Sequence, residues 1–479
     1  MEILRVFATL FTITTILVSI LIILDNRNPS RTVAWLLALI FLPVVGMFLY
    51  LYIGQNHRKK KTFIKKSKQD YKIIHHLLHH QISFTGYGEF LKKTFTDARG
   101  KVAPLLLSNS EAPVTVNNDA TVLINGYETF REMLKSIDRA KHHIHLEYFI
   151  IKDSDIGRRF QRALIRKAKE GIEVRVIYDA VGCWRLRKNF FQPLIEAGVE
   201  VKAFLPVTLP FFGSRLNYRN HRKILVVDGK EGFVGGVNIG DEYLGRNKKM
   251  GFWRDTHLKL QGEAVYMLQV IFLRDWYFVN KEELEDEIYF PKQGACGEKM
   301  VQITSSGPDS YWESIHQAYF SAINTANRSV FITTPYLVPD ESILMALKTA
   351  AIRGVDVRIL LPGRPDHRTV FWASKSHFSE LLEAGVKIYQ YQKGFVHSKV
   401  FIIDDNFSSI GTANLDIRSL QLNFEVNAFM YDEDMAKKLK SIYYKDLQHS
   451  KEVLLEDYKK RPISHRFKES VARLFSPIL

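Results

Sequence analysis

The sequence predicts an α/β protein in which two similar domains share one cleft, preceded by a two-helix transmembrane hairpin. Three observations lead to this prediction. Helical and strand patterns alternate through the chain after residue 116, and four segments of the first half recur in the same order in the second half. In addition, two apolar runs, each about 20 residues long, begin the chain.

The apolar runs cover Ile3 to Leu24 and Val33 to Ile53, with a short polar loop between them. Each run is long enough to cross a hydrocarbon core of about 30 Å as a helix. Trp35, Tyr50 and Tyr52 lie at the ends of the second run, where interfacial aromatic residues are typical. No clear cleavage site follows the first run, which argues against a signal peptide. We therefore expect two spans, with a buried pair of core helices as the alternative.

Basic residues beside the second run predict the orientation in the cell membrane. The loop between the runs has only Arg27 and Arg31, whereas seven cations follow the second run: Arg58, Lys59, Lys60, Lys61, Lys65, Lys66 and Lys68. The positive-inside rule then places the catalytic part on the cytoplasmic side, where this basic stretch can also contact anionic lipid. A histidine group that follows is expected on an exposed helix rather than at a metal, because no carboxylate or cysteine accompanies it: His75, His76, His79 and His80.

The composition limits the function classes. The 479 residues leave room for two sizeable domains, and 67 basic against 51 acidic residues give a net charge of +16. Such a surplus favours anionic partners but does not choose between lipid headgroups and nucleic acid. Cys183 and Cys296 are far apart and outside any CxxC spacing, so the sequence indicates neither a disulfide framework nor a zinc site.

The duplication is visible in aligned segments of the two halves. Residues 171–176 (GIEVRV) match residues 354–359 (GVDVRI), and residues 194–199 (LIEAGV) match residues 381–386 (LLEAGV). Residues 140–146 and 326–332 also correspond, as do residues 221–228 and 397–404. Because the four segments keep the same order and similar spacing in both halves, they indicate an internal duplication rather than chance similarity.

Each half alternates helices and strands. In the first half we predict helices at 127–140 and 157–169, with strands at 144–151 and 174–178. The apolar runs at 223–227 and 399–403 are typical of strands covered on both faces, which favours mixed, largely parallel sheets. The predicted division of the chain is 1–54 for the hairpin, 55–115 for a basic juxtamembrane segment, 116–290 and 291–455 for the two domains, and 456–479 for an amphipathic tail.

One motif, HxK(x)4D(x)6GxxN, occurs once in each half. The first copy supplies His221, Lys223, Asp228 and Asn238, and the second supplies the corresponding four residues: His397, Lys399, Asp404 and Asn414. A histidine and a lysine two residues apart point to the same side of a strand. The imidazole can act as nucleophile or general acid, while the lysine and asparagine hold phosphate oxygens. Two facing copies would complete one site for phosphodiester chemistry, and no metal is then required.

The paired motifs resemble the HKD signature of the phospholipase D superfamily over roughly residues 115–450. The resemblance implies two steps through a phosphohistidine, in which one of His221 and His397 attacks phosphorus and the other protonates the leaving alcohol. We favour His221 as the nucleophile. It also implies phosphate binding by the motif lysines and asparagines, orientation of the histidines by Asp255 and Glu425, and no cofactor. Asp228 and Asp404 belong to the same catalytic signature but are expected to fix local structure.

One departure from the signature distinguishes the halves. Gly236 stands where serine or threonine is usual, as at Thr412. The two half-sites are therefore expected to differ in strength.

Further segments resemble bacterial cardiolipin synthases, and with them the resemblance spans nearly the whole chain. They are residues 28–37 and 42–46 in the apolar runs, residues 217–223 at the first motif, and residues 461–477 in the tail. The resemblance implies transfer of a phosphatidyl group between two phosphatidylglycerols, giving cardiolipin and glycerol. The implied partners are phosphatidylglycerol and anionic membrane lipid, without nucleic acid; the sequence does not indicate the oligomeric state.

Two amphipathic or apolar segments fit a lipid enzyme but keep alternatives open. The apolar loop at 204–212 suits either guidance of acyl chains or packing in the core. In the tail, five apolar residues recur at helical spacing among basic residues: Ile463, Phe467, Val471, Leu474 and Ile478. This pattern suits a helix on a membrane surface or one docked on the protein.

Three other functions compete with this interpretation. A hydrolytic phospholipase D, or another headgroup-exchanging phosphatidyltransferase, would use identical residue types, so only the products distinguish it. A membrane-tethered nuclease would suit the charge but leaves the lipid-like loops without a purpose. A non-catalytic membrane scaffold is disfavoured because both motif sets are present.

Overall fold

The first part of the chain is helical in the structure, a computed structural model that describes residues 2–25, 29–50, 87–206, 217–247, 250–284, 286–294 and 296–478. The helices here are α1 (Glu2–Asp25), α2 (Pro29–Phe41) and α3 (Pro43–Leu49). Pro43 separates α2 from α3 because proline disfavours helical geometry in the residue before it, and Leu42 has φ −136° and ψ 66°. The buried side chains of Val18, Ile22, Leu39 and Tyr50 hold the helices together.

Within the residues described, no helix is long and apolar enough to cross a membrane. The basic cluster at 58–68, the histidine group at 75–80 and most of the apolar loop at 204–212 fall outside the described residues.

Two helices precede the first strand, α4 (Tyr87–Thr94) and α5 (Ala98–Ser110). Asp97 caps α5 by accepting a hydrogen bond from the Arg99 backbone N–H at 3.0 Å. Val102 and Leu106 of α5 are fully buried in one hydrophobic cluster with residues of the second half of the chain. The end of the expected juxtamembrane segment therefore contributes to the core of the second half.

The first half contains eight strands and four longer helices among its described residues. The strands are β1 (Val114–Ile124), β2 (His143–Tyr148), β3 (Glu173–Asp179), β4 (Glu200–Phe204), β5 (Lys223–Val227), β6 (Glu231–Gly235), β7 (Phe252–Arg254) and β8 (Thr256–Gly262). The helices are α6 (Asn125–Arg139), α7 (Asp155–Lys169), α8 (Lys188–Glu196) and α9 (Ala264–Asn280). The helices predicted at 127–140 and 157–169 are confirmed as α6 and α7.

The second half repeats this order with small additions. Its strands are β9 (Lys299–Ser306), β10 (Ser329–Thr333), β11 (Leu337–Val338), β12 (Asp356–Pro362), β13 (Lys387–Tyr391), β14 (Gly394–Val396), β15 (Val400–Ile403), β16 (Phe407–Gly411), β17 (Leu415–Asp416), β18 (Glu425–Met430) and β19 (Ser450–Val453). Its helices are α10 (Ser314–Thr325), α11 (Glu341–Ile352), α12 (Arg368–Ser376), α13 (Phe378–Glu383), α14 (Ile417–Gln421) and α15 (Glu433–Leu447). The tail adds α16 (Leu455–Lys459) and α17 (Ile463–Leu474).

One continuous sheet joins the halves. The first half contributes strands in the order β4-β3-β2-β5-β6-β8-β1, and the second contributes β13-β12-β10-β15-β16-β18-β9, with β19 at the outer edge. The two sets of strands join where β1 of the first half pairs antiparallel with β9 of the second half. The repeated strand order confirms the α/β class and shows the same internal arrangement in both halves.

The prediction of a largely parallel sheet is wrong. Among the described strands of this sheet, the parallel pairs are limited to β2–β3–β4 and β10–β12–β13, and the other pairs are antiparallel. Strand β5 is apolar from Ile224 to Val227 because alternate residues enter different cores: Ile224 packs in one hydrophobic cluster and Leu225 in another. Burial on both faces, rather than parallel pairing, explains the continuous apolar run.

The two halves also share a core beneath the sheet. Ile224 and Val226 of β5 lie in one cluster with Ile402 of β15, Leu268 of α9 and Leu439 of α15. Because this cluster takes residues from both halves, it fixes the position of one motif strand relative to the other.

Candidate active site

The second half holds the first motif in place. The His221 backbone N–H donates to the Phe424 carbonyl oxygen at 2.9 Å, and Asn220 forms a parallel bridge with Phe424. The Phe149 ring meets the His221 imidazole edge-on, with the ring centroids 4.8 Å apart. His221 therefore lies at the junction of the halves, immediately before β5.

The first half holds the second motif in the same way. The His397 backbone N–H donates to the Arg254 carbonyl oxygen at 2.7 Å, and β14, just before His397, pairs in parallel with β7. The Trp253 and His397 rings are 5.3 Å apart between centroids. Each motif is thus anchored by backbone contacts from the opposite half.

The histidine–carboxylate pairs cross between the halves. His221 Nδ1 lies 2.9 Å from Glu425 Oε2, and His397 Nδ1 lies 2.8 Å from Asp255 Oδ2. Both carboxylates are completely buried. The resemblance to the phospholipase D signature implied that Asp255 and Glu425 orient the histidines, and the structure shows that each contacts the histidine of the other half.

The difference between Gly236 and Thr412 follows from the lengths of these carboxylates. The Thr412 hydroxyl donates to Glu425 Oε2 at 2.5 Å, so it supports the longer glutamate. At Gly236 a Cβ atom would overlap the Asp255 carboxylate, which takes its own support from the Thr256 backbone N–H at 2.8 Å. The glycine therefore provides space for the shorter carboxylate.

The motif lysines are buried beside the histidines. Lys223 Nζ donates to the His221 carbonyl oxygen at 2.7 Å, and Lys399 Nζ donates to the His397 carbonyl oxygen at 2.6 Å. Lys399 Nζ also lies 3.0 Å from each ring nitrogen of His397. Burial lowers the pKa of Lys223 to about 7, with the positive charge of Lys399 acting in the same direction, and burial lowers the pKa of Lys399 to about 8.

The histidines are neutral and their carboxylates ionised near neutral pH. Burial lowers the pKa of His221 to about 4 and also lowers the pKa of His397, against the raising effect of the paired carboxylates. Burial opposes ionisation of Asp255, but His397 and Lys399 outweigh it and hold the pKa at about 2. The pKa of Glu425 is lowered in the same way, with His221 as the chief stabilising partner. A neutral imidazole that donates from Nδ1 carries its lone pair on Nε2.

Each motif asparagine is held by one hydroxyl group. Asn238 Nδ2 donates to the Tyr243 hydroxyl at 3.1 Å, and Asn414 Nδ2 donates to the Ser419 hydroxyl at 3.1 Å. Each amide nitrogen carries two hydrogens, so one N–H remains for an anion.

The motif aspartates lie at the far ends of the motif strands. Asp228 follows β5 and accepts hydrogen bonds from three successive backbone N–H groups at 2.8–3.0 Å, those of Lys141, His142 and His143. Asp404 follows β15 and accepts from Asn327, Arg328 and Ser329 at 2.7–2.8 Å. Both have positive φ, 54° and 51°. The structure thus brings the histidines, lysines and orienting carboxylates together but places these aspartates elsewhere.

Sequence reasoning missed two buried arginines that brace the site. Arg222 Nε donates to the Glu425 carbonyl oxygen at 3.2 Å, and its guanidinium forms an ion pair with Asp275. Arg254 donates from Nε to both Asp446 carboxylate oxygens at 2.9 Å. Their positions in the sequence could have indicated a role at the site, because Arg222 lies inside the first motif and Arg254 adjoins Asp255. Their partners could not be identified in this way, because they are distant in sequence.

The chain matches the sequence models of two known protein families. A family model described as "Cardiolipin synthase, PLD-like domain" matches residues 133–276 and 319–447, which include both motifs. The chain belongs to this family. A second model, "Phospholipase_D-nuclease N-terminal", matches residues 13–55.

Cardiolipin synthases resemble the chain over nearly its whole length. "Cardiolipin synthase 2" of Bacillus cereus is 46% identical over 473 residues, which cover 98% of this chain and 91% of that protein. "Major cardiolipin synthase ClsA" of Bacillus subtilis is 45% identical over 485 residues and covers both chains completely. Among solved structures, phosphatidylserine synthase of Haemophilus influenzae aligns with a TM-score of 0.59 and 14% identity, over 79% of this chain and all of that one. This last likeness concerns the fold alone.

Proposed function

We propose that this protein is a cardiolipin synthase that transfers a phosphatidyl group from one phosphatidylglycerol to another through a phosphohistidine and releases glycerol. The observation that carries the proposal is the crossed arrangement of His221 with Glu425 and His397 with Asp255. It supplies two imidazoles of matched orientation from opposite halves, as a double displacement at phosphorus requires. Full-length similarity to cardiolipin synthases supports the choice of lipid substrate.

His221 is the proposed nucleophile. Its Nδ1–H donates to Glu425, which directs the Nε2 lone pair at phosphorus. His397 is less suited to attack because Lys399 Nζ lies 3.0 Å from both of its ring nitrogens, where an ammonium withdraws electron density. Lys223 instead donates to the backbone carbonyl oxygen of His221 and acts on that ring through its charge.

The first step forms the bond between His221 Nε2 and phosphorus and breaks the bond from phosphorus to the glycerol oxygen. Protonated His397 gives its proton to that oxygen, so neutral glycerol leaves. Burial lowers the pKa of His397 in the empty site, but the arriving phosphate anion favours the protonated ring, as does Asp255.

The second step reverses these roles. Neutral His397 removes the proton from the glycerol hydroxyl of a second phosphatidylglycerol, whose oxygen attacks phosphorus as the bond to His221 breaks. In both transition states, the non-bridging oxygens and their developing charge are stabilised by the motif lysines and asparagines: Lys223, Lys399, Asn238 and Asn414.

The proposed location is the cell membrane, with the catalytic part on the cytoplasmic side. We assign residues 1–54 to a two-helix transmembrane hairpin, on the evidence of the two apolar runs and the seven cations that follow them. The packing of Val18 and Ile22 of α1 against Leu39 of α2 fits such a hairpin. Residues 116–290 and 291–455 are then the two domains, and 456–479 is the tail.

Product analysis tests the proposal. The full chain, reconstituted in phosphatidylglycerol vesicles, is expected to yield cardiolipin and glycerol in equal molar amounts, as measured by lipid mass spectrometry and a glycerol assay. Phosphatidic acid without cardiolipin would instead identify a hydrolase. The His221→Ala, His397→Ala double variant is the control and should form neither product.

A further inference from the structure

The tail helix α17 is attached to the second half through one face. Glu469 and Ala472 on that face are buried. The Glu469 carboxylate accepts hydrogen bonds from the Tyr458 hydroxyl at 2.8 Å and from Arg461 Nε at 2.9 Å, and Ala472 packs with Val338 and Ala373. Docking on the protein therefore uses only this face and leaves the opposite face of the helix open to a second contact.

The opposite face of α17 is an apolar stripe without cover from the described chain. Ile463 is 82% exposed, Phe467 69% and Leu474 78%, with Val471 between them at 38%. Their spacing of four, four and three residues places all four on one side of the helix. Apolar residues in such a continuous stripe, rather than scattered singly, mark a surface that binds something.

Cations border this stripe. Arg466 and Arg473 lie beside it, and together with Lys459 and Arg461 they line a concavity of about 420 Å³. Its remaining lining is three serines and two acidic residues: Ser376, Ser379, Ser470, Glu383 and Glu469. Two of these cations are in ion pairs, Arg461 with Glu469 and Arg473 with Glu380 at 3.2 Å. The other two, Lys459 and Arg466, outweigh the remaining carboxylate of the lining, so the concavity has a net positive charge.

The helix that carries the stripe lies near the strand ends at which the second motif is found. Helix α17 packs on α12, which follows the C-terminal end of β12. Strand β10, parallel to β12, ends at Thr333 opposite Val400, the residue after Lys399. Helix α17 thus lies at the same ends of these strands as Lys399 and the rest of the second motif.

We propose that α17 docks on an anionic bilayer, with Ile463, Phe467 and Leu474 inserted among the acyl chains and a lipid phosphate in the basic concavity. The inference rests on the proposed function, which places the chain at a membrane. Apolar residues flanked by arginines match the interface of a bilayer that contains anionic lipid. A second copy of this chain or an apolar peptide would match the stripe but would leave the cationic border without anions.

A site-specific fluorescent label tests the docking in the intact protein. Cys296, the exposed cysteine, is replaced (Cys296→Ser), and NBD is attached to Phe467→Cys in the full chain. The matched control carries the label at Ile352→Cys, 74% exposed at the end of α11 and near the opposite edge of the sheet. Both proteins are reconstituted in vesicles with and without phosphatidylglycerol, and doxyl-labelled lipid and iodide serve as quenchers.

We expect a blue shift and quenching by doxyl lipid at position 467 but not at 352, and reversal of both effects by Arg466→Gln, Arg473→Gln. An unshifted label, quenched by iodide alone, would overturn the inference even when the same vesicles form cardiolipin. Shielding from both quenchers that grows with protein concentration would also overturn it, in favour of a second copy. Docking without cardiolipin formation would overturn the proposed function and leave the inference intact.

Discussion

The Asp255 carboxylate occupies the space that a side chain at Gly236 would need. A Cβ atom at residue 236 would overlap that carboxylate, whereas Thr412, the equivalent residue in the second half, donates to Glu425 at 2.5 Å. The halves therefore use two different pairs, glycine with aspartate and threonine with glutamate, to present a carboxylate to the histidine opposite. Duplication has preserved the function of the pair rather than its residues.

We expect Gly236→Thr to displace Asp255 and misalign His397. A misplacement of about 1 Å lowers turnover by about 10²-fold. Adding Asp255→Glu to this variant reproduces the pair of the second half and should restore part of the lost activity. Cardiolipin formation in phosphatidylglycerol vesicles measures both effects, and wild-type activity in the single variant would contradict the steric argument.

Replacing Glu425 tests the orientation of the nucleophile. Glu425→Gln keeps the shape of the side chain but loses the charge that fixes the His221 tautomer and stabilises its cation, so kcat should fall by about 10³–10⁴-fold. Thr412→Val, which removes only the hydroxyl that supports Glu425, should have a smaller effect. Equal activity in Glu425→Gln and the wild type would show that the pair at 2.9 Å has no catalytic role.

Much of the site could be predicted from the sequence because each motif is short and local. His221 and Lys223, for example, are two residues apart where β5 begins, and the Lys223 side chain donates back to the His221 carbonyl oxygen. The crossing of Glu425 to His221 could not be predicted, since it depends on how two distant halves pack through β1 and β9. The direction of strand pairing also could not be predicted. The apolar run in β5 reflects burial on both faces of the sheet, which occurs here with antiparallel neighbours on both sides.

The motif aspartates should matter for folding more than for chemistry. Asp404→Ala leaves three buried or half-buried N–H groups without their carboxylate acceptor, so the free energy of unfolding should fall by about 3 kcal/mol. Turnover of the remaining folded protein should change far less than in Lys399→Ala. Thermal unfolding and active-enzyme titration measure the two quantities. A fully stable Asp404→Ala protein with as little activity as His397→Ala would assign Asp404 to the chemistry.

Anion binding should weaken as the pH rises. The two lysines hold phosphate oxygens only when protonated, and burial lowers the pKa of Lys223 to about 7 and of Lys399 to about 8. The Kd for tungstate, an oxyanion of constant charge above neutrality, should therefore increase above pH 7 and more steeply above pH 8, up to about tenfold per pH unit for each lysine. Calorimetry between pH 6 and 9 gives this profile, and Lys223→Met should remove the earlier rise. A Kd independent of pH would contradict proton-dependent binding by these lysines.

Trapping the covalent intermediate tests the central claim most directly. The full chain is mixed with vesicles of isotopically labelled phosphatidylglycerol, quenched within the first turnover, digested and mapped by mass spectrometry. We predict a phosphatidyl group on His221 that is absent from His221→Ala. In His397→Ala it should form more slowly and persist longer, because that variant lacks both the acid for the first step and the base for the second. Cardiolipin formation without label on either His221 or His397 would contradict a shared site built from both halves.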